Sequence, residues 1–146
     1  MGKIKPTFNL TANASSATTD PGPLTVALTL SATDSLDVTA VQTKIVSPTT
    51  THAVLWDHTA FSDGTETAGT DGGFVYVKNL HATVNVAIGF GSSGALQADD
   101  TALRLMTLKP GEFGWFPWDF TADIIVDSIT STATDGLESW VFTRTQ

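Results

Sequence analysis

The chain has 146 residues and sets 15 acidic against seven basic side chains, a formal net charge of −8. With Lys and Arg scattered singly, that balance argues against a surface able to track a phosphate backbone, so no nucleic-acid partner is expected. Cysteine is absent, which removes disulfides, thiolate metal sites and cysteine nucleophiles together. No apolar run nears the roughly 20 residues a membrane-spanning helix needs, so no membrane partner is expected either.

The length suits one hydrophobic core and is short for two comfortable domains. Threonine is heavily used while Glu, Lys, Gln and Arg are scarce, a composition that favours strands over helices. Lys3 and Lys5 imitate the start of a secretion signal, but residues 8–17 are a polar mixture of Thr, Asn, Ser and Ala, so synthesis in the cytoplasm without a cleaved leader is expected. Residues 1–23 read as an N-terminal arm. Ile4 and Phe8 fall in an alternating stretch, and the segment then turns to Ala, Ser and Thr before closing on Asp20-Pro21-Gly22-Pro23. The sequon Asn13-Ala14-Ser15 is read as chance.

Residues 24–146 are expected to form a single domain. Leu24, Val26, Leu28 and Leu30 alternate with Thr and Ala, as a half-wet core strand does. Residues 36–46 continue as a strand with a slip in phase that points to a bulge. A short strand over residues 52–56 follows the break at Pro48. Residues 62–73, with Asp63, Glu66 and Asp71, form a long loop, a contact-loop candidate whose acids lack the spacing of a calcium loop. Residues 74–80 and 82–90 are two further strands. Gly89-Phe90-Gly91-Ser92-Ser93-Gly94 superficially resembles a phosphate loop but lacks the Lys-Ser/Thr and the helix that such a loop requires. A strand over residues 102–108 precedes the most informative stretch.

That stretch is residues 108–120. Lys109-Pro110-Gly111 is a tight turn, because proline presets φ at its first central position and glycine accepts the positive φ a type II turn needs at the next. In the strand that follows, Phe116 and Trp118 alternate with Phe113, Trp115 and Pro117, so large side chains fall on both faces. Pro117 cannot donate to a ladder, which places the strand at a sheet edge. Aromatics on both faces mean burial from both sides, by a second sheet in a well-filled sandwich core or by another chain; on the second reading Phe113, Trp115, Phe116, Pro117 and Trp118 are contact surface, with Ile4 and Phe8 of the arm as further contacts. Beyond it, residues 120–127 are expected to put one face in the core and an acidic ridge outside, and residues 137–143 form the last strand. Short strands separated by turn signals, with no convincing helix, point to an all-β fold, an antiparallel β-sandwich of jelly-roll type with an extended arm; a closed barrel is the alternative.

Chemistry is sparse. His52 with Asp57-His58 could be imagined around zinc, and Asp119, Asp123 and Glu138 as a glycosidase pair, but these residues have the character of ordinary surface groups, and no Gly-x-Ser-x-Gly elbow occurs. No metal, no cofactor and no catalytic residue is expected. The four tryptophans keep a carbohydrate-binding module open, although Trp115 and Trp118 lie on opposite faces of their strand and cannot share one open platform.

Three runs carry a resemblance: Val-Tyr-Val-Lys-Asn-Leu from Val75, Val-Asn-Val-Ala-Ile-Gly-Phe-Gly from Val84, and Leu-Met-Thr-Leu-Lys-Pro-Gly-Glu-Phe-Gly-Trp-Phe-Pro-Trp from Leu105. Together they resemble small virion structural proteins of tailed bacteriophages, in which a strand ending in Lys-Asn-Leu precedes an apolar strand and a Leu-x-Pro-Gly-Glu-Phe turn opens an aromatic one. The resemblance covers roughly a third of the chain and implies a non-enzymatic role in the particle. Its first implication is a capsid decoration (cement) protein that forms a homo-oligomer, a trimer by preference, and binds the major capsid protein. A neck or tail component is the second.

Overall fold

A computed structural model of the chain describes residues 2–4, 7–12, 24–29, 36–38, 40–61, 72–91 and 104–144. Twelve strands and a single 3-10 turn, His58–Ala60, make up the regular structure among them. Contacts divide the chain into two units, Met1–Val38 and Thr39–Gln146.

In the first unit, β1 (Gly2–Ile4) pairs with β4 (Leu36–Val38), and β2 (Thr7–Ala12) pairs with β3 (Leu24–Thr29), both antiparallel. The register sets Phe8 opposite Leu28 and Leu10 opposite Val26. Two segments with matching alternation satisfy one another, so the strand that begins at Leu24 pairs with the segment read as an arm. The division by contacts falls after Val38. The sequon at Asn13 lies outside the described residues.

The second unit holds eight strands: β5 (Ala40–Val46), β6 (Ala53–Trp56), β7 (Gly72–Asn79), β8 (Val86–Phe90), β9 (Arg104–Leu108), β10 (Phe113–Trp118), β11 (Ile124–Ser128) and β12 (Leu137–Arg144). They form two four-stranded antiparallel sheets, ordered β10-β7-β12-β5 and β6-β11-β8-β9. The pairing is nested: β8 with β9, β7 with β10, β6 with β11 and β5 with β12, as though one long antiparallel ribbon had been rolled up. The sheets pack face to face as a β-sandwich. Val75, Val77, Phe116, Leu137 and Val141 come from one sheet, and Val86, Ile88, Leu108, Ile124 and Val126 from the other; all are buried in one cluster. The period of two in a strand accounts for this sorting, since alternate residues of each strand point inward.

Three local readings can be checked directly. The Lys109 turn forms as expected: Gly111 has φ +80° and the Glu112 amide donates to the Lys109 carbonyl at 3.0 Å. β10 is an edge strand, and Pro117 sits where its missing N–H costs no ladder bond. The acidic ridge after Phe120 is not found. β11 lies between β6 and β8, every residue of it is buried, and Asp127 is 2 % exposed. Both faces of β11 are covered, Ile124 and Val126 by the core and Ile125 and Asp127 on the opposite side, so the alternation marked no wet face.

Asn79 ties the second unit together at the end of β7. Fully buried, its Nδ2 donates to the carbonyls of Val84 (2.8 Å) and Leu108 (3.0 Å), and its Oδ1 accepts from the His81 amide (3.0 Å). Its own amide donates to the Glu112 carbonyl and its carbonyl accepts from the Gly111 amide. The Asn79 backbone therefore joins the Lys-Asn-Leu strand end to the Lys-Pro-Gly-Glu turn, while its carboxamide ties that strand end to Val84 and to the end of β9 at Leu108.

Candidate interaction surface

The alternation that sends Val75, Val77, Phe116 and Val141 inward sends their neighbours to the opposite face of the β10-β7-β12-β5 sheet. Cross-strand register arranges that face in three rows. The first is Phe113, Lys78, Glu138 and Ile45. The second is Trp115, Tyr76, Trp140 and Thr43. The third is Pro117, Phe74, Phe142 and Val41. Six of these twelve positions are aromatic, and the only charges are Lys78 and Glu138, directly opposite one another.

The face is open. Ile45 is 59 % exposed, Phe113 55 %, Val41 48 %, Trp115 38 % and Trp140 37 %. Its rings touch each other both across strands and along β12. Phe74 stacks on Trp115 with planes 10° apart and centroids at 5.5 Å, Trp115 meets Phe142 at 5.3 Å, and Trp140 stacks on Phe142 at 6.2 Å. Such pairs stiffen a surface at little entropic cost, because each ring has only two torsions to fix. The Trp140 indole N–H donates to Glu138 Oε1 at 2.9 Å, and burial, with the Glu138 carboxylate second, raises the Tyr76 phenol above its ordinary value.

Of the residues singled out in the sequence, Phe113, Trp115 and Pro117 lie on this open face. Phe116 and Trp118 do not. They are 7 % and 2 % exposed and belong to the core, where Trp118 packs edge-on against Phe61 and Phe120 and donates its indole N–H to the Ala122 carbonyl. An edge strand of a sandwich still has one face turned to the other sheet, so half of its aromatics are core. Ile4 and Phe8 lie on β1 and β2, and their side chains are outside the described residues. The acids Asp63, Glu66 and Asp71 are likewise outside them. The reading of β10 missed Phe74, Tyr76, Trp140 and Phe142 as part of the same surface. In β7 these aromatics alternate with valines and in β12 with Ser139, Val141 and Thr143, so no outward polarity separates the two faces.

The groups considered for chemistry are each engaged locally. His58 Nδ1 donates to Asp123 Oδ1 at 2.6 Å and the His58 amide donates to the same oxygen at 3.0 Å, which holds the Asp123 carboxyl below its ordinary value. Asp57, whose Oδ1 accepts from the Thr59 amide and hydroxyl, completes a group of three potential ligands within 4.8 Å. A cation there would have to displace the His58–Asp123 hydrogen bond, and His52 is not part of the group. Asp119 accepts from the Thr121 hydroxyl at 2.7 Å and is lowered by it, while Glu138 serves Trp140. Inside the sandwich, Trp56 Nε1 donates to Ser139 Oγ at 2.7 Å and Lys44 Nζ stands 4.0 Å over the Trp56 ring, its ammonium pKa lowered by burial. An open hollow lined by Phe90, Pro117, Trp118 and Asp119 marks the end of β10.

Among the described residues, no helix is long and apolar enough to cross a membrane. No family model, no curated protein and no solved structure matches the chain.

Proposed function

We propose that this chain is a non-enzymatic structural protein of a tailed-phage virion, a decoration (cement) protein that associates with copies of itself and binds the assembled shell of major capsid protein. The observation that carries the reading is the open aromatic face. Contiguous apolar surface of that extent on a soluble domain marks a contact site, and aromatic side chains are enriched at the centres of such contacts. The strand order supports it. We read β5-β12-β7-β10 against β6-β11-β8-β9, with its nested pairs, as an eight-stranded jelly roll, an architecture that capsid proteins use repeatedly. Fold alone does not give function; the resemblance around the Lys-Asn-Leu end and the Pro-Gly-Glu turn supplies the particle. A protein that binds only the assembled shell stabilises it by mass action.

The test is the copy number per purified particle, measured by quantitative mass spectrometry against the major capsid protein. Hundreds of copies support a decoration protein, about a dozen move it to the neck or tail, and absence from the particle overturns the reading. A second reading, a glycan-binding module, draws on the same open face, since Trp115 and Trp140 share it. The stacking of Phe74 on Trp115 and the engagement of the Trp140 indole count against it, because a sugar platform needs free ring faces and free donors. Tryptophan fluorescence that responds to oligosaccharides would favour that module.

A further inference from the structure

We infer that the aromatic face is where a second copy of this chain docks, sheet against sheet, about a twofold axis running along the strands between β7 and β12. The inference rests on the reading of this face as a contact surface, and it adds the occupant and the symmetry.

Three observations select a second copy. The first is charge. The chain carries −8, and two copies repel through their net charge, yet the three aromatic rows bear one Lys and one Glu, which cancel. On these rows two acidic molecules can meet without a like-charge penalty.

The second is self-complementarity. A twofold axis along the strands exchanges the order of the columns, so β7 faces β12 and β10 faces β5 of the other copy. Lys78 then meets Glu138 of the partner subunit, and the exchange is reciprocal, as an isologous contact requires. In the next rows Tyr76 faces Trp140 of the partner subunit, and Phe74 faces Phe142 of the partner subunit. No charge is set against its like and no charge against a ring-only position. A face that matches itself in this way builds a pair, whereas a trimer would need two different surfaces that fit one another.

The third is size and shape. Four strands about 4.8 Å apart, with three outward positions about 6.8 Å apart on each, give a plan area of about 400 Å². Two such faces, with the relief of standing aromatic side chains, bury an accessible area of about 1,000 Å², where specific interfaces begin. A sheet is also the shape that packs on a sheet, with strands nearly aligned and about 10 Å between layers.

The experiment is sedimentation equilibrium of the full chain across roughly 1 to 100 µM, with circular dichroism on each variant to confirm the fold. The wild type is expected to be a dimer. Lys78→Glu alone sets two carboxylates against each other at both symmetry-related contacts and should raise the dimer dissociation constant about tenfold or more. The double variant Lys78→Glu/Glu138→Lys should restore much of that loss, because the reversed pair still matches itself. Trp115→Lys, at a half-exposed position, should give a folded monomer. A wild type that is monomeric throughout, a dimer indifferent to Lys78→Glu and Trp115→Lys, or a double variant as weak as the single one overturns the inference. Because the readout is in solution, a monomer that is nonetheless abundant in particles would sink the dimer and leave the decoration reading standing.

Discussion

Replacing Asn79 should unlock the second unit more than its size implies. In Asn79→Ala the carbonyls of Val84 and Leu108 each lose a donor, and the His81 amide loses its acceptor, at a position with no solvent access. A buried polar group left unpaired costs about 1 to 3 kcal/mol. Some relaxation over three such groups leaves a loss of about 3 to 5 kcal/mol, a large share of the 5 to 15 kcal/mol that holds a typical domain. At about 4 °C or more per kcal/mol for a unit of this size, the midpoint should fall by at least about 12 °C. Asn79→Asp keeps the acceptor but turns a carboxylate toward two carbonyls, and should be no better than alanine. Urea titrations followed by tryptophan emission give the free energy and the slope together. An Asn79→Ala variant within about 1 kcal/mol of wild type, with an unchanged slope, would refute the account of this side chain as the tie between the β7 end, Val84 and the end of β9.

Three further outcomes follow from the same structure. Gly111→Ala should cost about 1 to 2 kcal/mol in thermal denaturation, all of it from backbone at φ +80°, since nothing lies within 4 Å of the added carbon; Gly111→Asn should cost less. Asp127 is raised by burial, so its folded form holds a proton more tightly than the unfolded chain does. Its ionised form therefore burdens the fold at neutral pH, and the burden lifts as pH falls through the folded value. Asp127→Asn should melt higher than wild type at pH 7 with a gap that narrows toward about pH 4, and a gap that widened on acidification would contradict this. Asp123 is the opposite case: its lowered carboxyl contributes stability above the unfolded value, lost as pH falls through the folded one. Asp123→Asn should lose about 1 to 2 kcal/mol at pH 7, with His58 partly exposed and the effect discounted accordingly, and the loss should shrink below about pH 4.

How much of this was legible in the sequence varied with the contrast each segment offers. Pro110-Gly111 announced its turn because glycine is the residue that takes the φ required there at least cost. Pro117 announced an edge because it cannot donate. The sandwich followed from short strands bounded by turn residues. What resisted was anything decided by the strand's neighbours. Asp127 looked like a solvent-facing acid because alternation alone does not tell that the outer face of β11 is covered. Phe116 and Trp118 looked like contact residues because a strand with rings on both faces does not say which face meets the second sheet. Phe74 and Tyr76, interleaved with valines, gave no sign of direction at all. The aromatic surface became visible only when four strands far apart in the chain were laid side by side.

The rolled-ribbon pairing also sets the order in which the molecule can assemble itself. Val86 and Leu108 are about 22 residues apart, but the amide of Ala40 and the hydroxyl of Thr143 that accepts from it are separated by 103. Closing the outer pair from an open chain costs over 1 kcal/mol more than closing the inner one, so zippering outward from β8 and β9 is the cheaper route. High contact order of this kind places folding in milliseconds to seconds. β5, bonded to β12 alone, arrives last and leaves first, so its amides should exchange fastest in the sandwich. Until it arrives, Trp140 and Phe142 stand on a bare strand edge. The nascent chain thus passes through a state with its aromatic rows incomplete and an unpaired ladder beside them, and crowding by other copies at that moment favours tangled pairing over orderly stacking.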